Sequence, residues 1–208
     1  MRRTVLLAIV LALLLGARAV AQPTVSLRGN VGAAFFQSPD GLKTVLNSGV
    51  DLGIGAGVQV YEGLELVVGG SYDRFTFNGD NYALTPGNNI SVRDEIKGGG
   101  LNVLNGTLGL RYTLQTQGDA HPYVSTGIGL YRTVLERARV SGISKTLSRF
   151  AATRKGYHVA LGGTFNIDET YSFFFEPRYV IVDTANTDLS GNTSTRYLTI
   201  RLGLELRL

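Results

Sequence analysis

The stretch RYLTIRLGLELRL, Arg196 to Leu208, places Leu198, Ile200, Leu202, Leu204, Leu206 and Leu208 at every second position. Tyr197, Thr199, Arg201, Gly203, Glu205 and Arg207 fill the gaps. Successive side chains of a strand point to opposite faces, so this segment has one apolar face and one charged face. The stretch GVDLGIGAGVQVY repeats the pattern, with Val50, Leu52, Ile54, Ala56, Val58 and Val60 opposite Asp51, Gly53, Gly55, Gly57, Gln59 and Tyr61.

The alternation recurs near residues 24–36, 49–61, 64–77, 98–112, 122–134, 156–167, 171–182 and 197–208. Each segment reaches the roughly 9 to 11 residues of a tilted membrane-spanning strand. Glu62-Gly63 and Asp168-Glu169-Thr170 make tight turns, and TLQTQGDAH is a modest one. The intervening segments near 37–48, 78–97, 135–155 and 183–196 are long and polar. Short turns on one rim and long loops on the other predict an all-β fold: an eight-stranded antiparallel up-and-down transmembrane β-barrel.

The polar face decides against a soluble barrel. It carries Arg28, Asn30, Asp51, Asn105, Thr107, Arg111, His158, Asn166, Glu176, Arg178, Arg201, Glu205 and Arg207, while the other face is almost free of charge. Turned to water, the apolar face would exceed the few hundred Å² that monomers tolerate. Lipid is expected to cover it. Two aromatic girdles are expected at the interfaces: Tyr61, Tyr112, Tyr123, Phe165 and Tyr171 near the short turns, and Phe35, Tyr72, Tyr131, Tyr157, Tyr179 and Tyr197 toward the loops.

The chain opens on MRRTVLLAIVLALLLGARAVAQ, with Arg2 and Arg3 ahead of an apolar run from Val5 to Leu15 and small residues at Ala19 and Ala21. That is the layout of a secretory signal peptide, and the run is shorter than the roughly 20 residues of a spanning helix. Residues 1–21 are therefore expected to be removed, leaving one barrel domain over 22–208. Loss of Arg2, Arg3 and Arg18 takes the balance from 20 cations against 16 acids to 17 against 16, so no nucleic-acid partner is expected. The absence of cysteine rules out disulfides, thiolate metal sites and a lipidated cysteine. No cofactor or metal is expected.

Three stretches carry a family resemblance: PYVSTGIGLYR from Pro122, GYHVALGGTFNI from Gly156 and FFFEPRYVIV from Phe173. With them, residues 22–208 resemble the small outer-membrane β-barrel domain family, the OmpA-type and OmpX-type eight-stranded barrels. The resemblance implies the outer membrane of a diderm bacterium, with the long loops outward. Residues Arg201, Gly203, Leu206 and Leu208 are similar to the carboxy-terminal signal read by the barrel-assembly machinery, with Leu208 in place of the usual aromatic. No segment follows the barrel to supply a peptidoglycan-binding domain, so no cell-wall tether is expected.

Eight strands enclose a space that side chains just fill. Inward glycines would make room for a charge network of Arg28, Asp51, Arg111, Glu176, Arg178, Arg201 and Glu205, closing the interior as a salt-bridged plug. A small-solute or ion channel lined by the same residues is the competing reading, and a soluble periplasmic ligand-binding barrel a third. In the third long loop and at its base, Arg132, Arg137, Arg139, Lys145, Arg149, Arg154 and Lys155 face the single acid Glu136. They could meet lipopolysaccharide phosphates or an anionic polymer. Neither His121 nor His158 sits in a pattern of serine and carboxylate that suggests a hydrolase, and Gly53-Ile54-Gly55-Ala56-Gly57 runs through a strand where a nucleotide loop needs a helix to begin. The role expected is structural or surface-interacting, through the loops, without enzymatic activity.

Overall fold

A computed structural model describes residues 24–78, 96–136, 138–140, 146–147, 150–183 and 194–208. The expected signal peptide, 1–21, lies outside the described residues. Eight strands form the wall: β1 (Val25–Ser38), β2 (Gly49–Tyr61), β3 (Leu64–Thr76), β5 (Gly100–Thr113), β6 (Ala120–Leu135), β9 (Phe150–Asn166), β10 (Tyr171–Val182) and β11 (Thr195–Arg207). Every neighbouring pair is antiparallel, and the order β1-β11-β10-β9-β6-β5-β3-β2 closes on itself. Closure gives each strand edge a partner, which a spanning structure requires because hydrocarbon cannot hydrogen-bond the backbone. The seam between β1 and β11 ends with Leu208 N–H donating to Val25 C=O at 2.8 Å.

Chemistry sorts the two faces as the alternation predicts. Outward Ile54 and Ile128 are 77% and 69% exposed, while inward Asp51 and Asp73 are fully buried. This inversion of the soluble pattern is stable only with lipid around the wall.

Local chemistry sets the tight turns. Between β2 and β3, Gly63 takes a φ of 72°, a left-handed conformation that glycine adopts without a Cβ penalty. At the short turn between β9 and β10 on that rim, Asp168 accepts from the backbone N–H of Thr170 and Tyr171 at 2.8 and 2.6 Å.

The loop end departs from the expected picture in two places. The first long loop contains a short helix, α1 (Asp40–Val45), and its end is tied to the wall through Asn47 N–H to Thr76 C=O at 2.9 Å. The third loop is shorter than expected, because β6 runs to Leu135 and β9 starts at Phe150, paired throughout. Above the membrane a strand no longer needs an apolar face, so the alternation fades although the ladder continues. A second sheet, β4 (Ile96–Gly98), β7 (Ala138–Val140) and β8 (Thr146–Leu147), joins the ends of the second and third loops.

Candidate functional site

The interior is layered. Nearest the short turns, Arg28 bridges two acids: it pairs with Glu65, and its Nε donates to Glu205 at 2.9 Å. Arg111 donates to Glu205 at 2.7 Å and to Thr164 at 2.6 Å, and its guanidinium lies 4.0 Å over the Tyr123 ring. Arg207 adds a contact to Glu205 at 3.1 Å. At mid-height Arg201 donates to Asp51 at 2.6 Å and to Ser71 at 3.0 Å. Asn30 also donates to Asp51, at 2.6 Å. Glu176 accepts from Tyr123 at 3.0 Å, pairs with Arg178 at 2.8 Å, and stands 3.9 Å from Arg201. All seven residues expected in the network thus face inward and share partners.

Sequence reasoning missed Glu65, Asp73 and Tyr123 as members. Asp73 accepts from Tyr197 at 3.0 Å, entirely out of water. Glu65, Ser71 and Asp73 lie in phase along β3, a signal blurred by Val67 and Phe75 sharing that face.

Toward the loops the interior turns apolar. Phe75 meets Phe36 and Tyr197 edge-on, with centroids 5.6 and 5.7 Å apart. Ala34, Leu101, Val103, Tyr131, Val180 and Val182 surround them, and Val45 and Leu46 descend from the first loop to cover the layer. The expected plug was wholly ionic. The structure stacks an aromatic layer on an ionic one, because the loop-side halves of β1, β3, β5 and β10 turn apolar side chains inward.

Three of the expected girdle tyrosines are corrected by the same observation. Tyr123, Tyr131 and Tyr197 point into the barrel, 3%, 1% and 0% exposed. Facing glycines leave their space: a Cβ on Gly162 would sit 2.3 Å from the Tyr123 ring, and one on Gly156 would sit 2.7 Å from that of Tyr131. Aromatic rings laid over cross-strand glycines pin register. Tyr61, Tyr112, Phe165 and Tyr171 remain outward at one rim, with Phe35, Tyr72, Tyr157 and Tyr179 at the other.

What space remains is small. An inner cavity of about 60 Å³ touches Arg28, Asn105, Arg111, His158, Glu176 and Arg201. That volume suits a few water molecules and is far below the ~300–1,000 Å³ of ligand pockets. A separate pocket of about 260 Å³ opens at the short-turn mouth beside Glu65, Arg111, His121 and Glu205. The ring nitrogens of His121 lie 3.1 Å from Thr116 Oγ1 and 3.1 Å from Asn166 Nδ2, while the His158 ring packs on Gly127.

The basic cluster divides. Arg132 and Lys155 stand on the outer, lipid-side face of β6 and β9, both exposed, whereas Arg154 is in phase with the lumen face and half-buried. Arg139 lies on β7, opposite Lys97 of β4 and Thr146 of β8 in register. Arg137, Lys145 and Arg149 fall outside the described residues. Of the assembly-signal residues, Arg201 and Gly203 face inward, Gly203 against the Phe174 ring, and Leu206 and Leu208 face outward.

A family model described as the outer membrane protein beta-barrel domain matches residues 4–205. Among curated proteins none matches the sequence. Many solved structures are similar, among them the following three. Neisserial surface protein A is 16% identical with a TM-score of 0.56, over 88% of this chain and 97% of that one. The outer membrane protein OprG from Pseudomonas aeruginosa is 17% identical with a TM-score of 0.57, over 89% and 96%. Ail, the attachment invasion locus protein of Yersinia pestis, in complex with the heparin analogue sucrose octasulfate, is 13% identical with a TM-score of 0.52, over 90% and 100%. At these identities the likeness is one of fold.

Proposed function

The chain belongs to the outer membrane protein beta-barrel domain family, and from that premise we propose that it is a barrel closed to solutes by its own side chains that presents a basic hairpin to an anionic polymer outside the cell. It is exported after cleavage behind Ala21, delivered to the assembly machinery by its last strand, and oriented with its long loops outward. It acts by contact and without catalysis.

The observation that carries this reading is the length of the hairpin. Strands β6 and β9 have 16 and 17 residues, well beyond the roughly 9 to 11 that cross the membrane, so their paired ends project past the lipid. In sequence, Arg137, Arg139, Lys145 and Arg149 fall between the two paired ends, and β4 of the second loop pairs with β7, with Lys97 opposite Arg139 in register. Bracing lowers the ordering cost of binding a polyanion. The complex of the similarly folded Ail with a heparin analogue supports a sulfated polymer as the ligand class.

The test is binding of sucrose octasulfate to the folded protein in lipid vesicles at two salt concentrations. Binding should weaken with salt, as exposed ion pairing does. A variant with Arg137, Arg139, Lys145 and Arg149 changed to Gln should lose it, and unchanged binding in that variant contradicts the reading.

A channel stays in view on one observation. The ionic layer opens to the short-turn mouth, so the aromatic layer and the Val45–Leu46 cover are what close the path on the loop side. Conductance decides between the two.

A further inference from the structure

Among the described residues, four buried polar atoms without a hydrogen-bond partner belong to side chains around one space. Arg111 Nε, Ser125 Oγ, His158 Nδ1 and Arg201 Nε all sit on residues lining the inner cavity of about 60 Å³. Arg111, His158 and Arg201 are 3%, 4% and 4% exposed. An arginine Nε–H can only donate, and a hydroxyl donates as readily as it accepts. A buried donor left unpaired is costly, so the cavity calls for an occupant that accepts.

Strand pairing shapes that space. Arg111, Ser125, Ala160 and Arg178 align in one row across β5, β6, β9 and β10, so two small side chains separate two guanidiniums. On the far side of the lumen, Gly55 and Gly69 are register partners that line the cavity and bring no side chain to fill it. The charged residues of the lining are Arg28, Arg111, Arg178 and Arg201 against Glu176 alone. Glu65, Glu205 and Asp51 pair with these arginines from outside the lining. Water could accept from the free donors, but four cations facing one acid in a low-dielectric interior favour an acceptor that is itself charged.

We propose that the cavity is a binding site for one small monovalent anion of the halide class, which accepts from Arg111 Nε–H and the Ser125 hydroxyl while water relays to Arg201 Nε–H. The mouth pocket of about 260 Å³ shares Arg111 with the cavity, so the ion enters from the short-turn side. It is a structural ion of the ionic layer, bound and not conducted. This inference rests on the closed lumen proposed above, which bilayer conductance tests by itself.

The experiment is urea unfolding of the full-length exported protein from lipid vesicles, with chloride exchanged for gluconate at constant ionic strength. Screening is then equal, and gluconate is too large for the cavity. An ion bound by the folded state alone should lower the unfolding constant by up to about tenfold for each tenfold rise in chloride. Ser125→Ala breaks no ion pair and should need about tenfold more chloride for the same effect, through loss of a hydrogen bond to a charged group. Unheated gel mobility verifies that this variant is folded, and Lys43→Gln, an exposed position on α1, should respond to chloride as the native protein does. Crystals grown in bromide should show an anomalous scattering peak in the cavity beside Arg111 and Ser125. Unfolding that ignores chloride overturns the proposal, as does a Ser125→Ala response equal to the native one, an equal loss in Lys43→Gln, or water alone in the bromide crystals. Sucrose octasulfate binding should be unchanged in Ser125→Ala, so failure here is distinguishable from failure of the hairpin reading.

Discussion

Arg111 and Glu205 stand 94 positions apart in sequence, yet their side chains meet at 2.7 Å inside the barrel, each only 4% exposed. Glu205 also receives Arg28 at 2.9 Å, so one carboxylate from the last strand holds two guanidiniums from the first and fifth. Removing one member of a buried pair leaves the other charge uncompensated, at about 3–5 kcal/mol. The Glu205→Gln variant should therefore lose about that much stability in urea unfolding from lipid vesicles. Arg207→Gln, whose side chain is 29% exposed, should lose no more than about 1 kcal/mol. Equal losses would show that the mouth of the barrel is hydrated throughout.

Gly162 and Tyr123 form a paired position between β9 and β6, and the ring occupies the space a side chain would take. Gly162→Val should destabilise by about 1–3 kcal/mol through overpacking. In a Tyr123→Ala background the same change should cost much less, giving a positive coupling in a double-mutant cycle. Additive losses would mean that the ring does not rest on the glycine.

The wall was legible from the alternation because lipid and lumen impose opposite chemistries on successive residues, and the charges of β11 and β2 made the phase plain. For the tyrosines, phase outweighs position along the strand. Tyr123 is in step with Gly127 and Gly129, and Tyr197 with Arg201 and Glu205, so each belonged to the lumen by the rule that placed its neighbours. The aromatic layer was hidden for a different reason. Phe36 and Phe75 are apolar residues on the polar phase, and only the closed barrel shows that they meet across it. The β4-β7-β8 sheet and the fixing of Val45 and Leu46 depend on contacts between distant loops, which alternation within one segment cannot encode.

Lipid should discriminate sharply between the faces. Ile54→Lys places a charge on the outward side of β2 and should cost about 2–4 kcal/mol if it sits near the bilayer midplane. Gln59→Lys, at the short-turn end of the same strand on the inward phase, should cost under about 1 kcal/mol. Unfolding from vesicles measures both, and a tolerated Lys at position 54 would contradict the lipid-facing assignment.

The aromatic layer should carry both stability and closure. Phe75 is fully buried between Phe36 and Tyr197, so Phe75→Ala should cost about 3–5 kcal/mol. Leu46→Gly/Val45→Gly removes the cover from the loop side and should leave the ionic layer intact.

Single-protein conductance in a planar lipid bilayer tests the closed lumen most directly, comparing the native protein with Phe75→Ala and Leu46→Gly/Val45→Gly. The native barrel should be silent, and both variants should show intermittent openings as the path from the short-turn mouth reaches the loop side. Steady conductance in the native barrel, unchanged in the variants, would contradict the closed lumen and make Arg28, Arg111, Glu176, Arg178 and Arg201 the lining of a working channel.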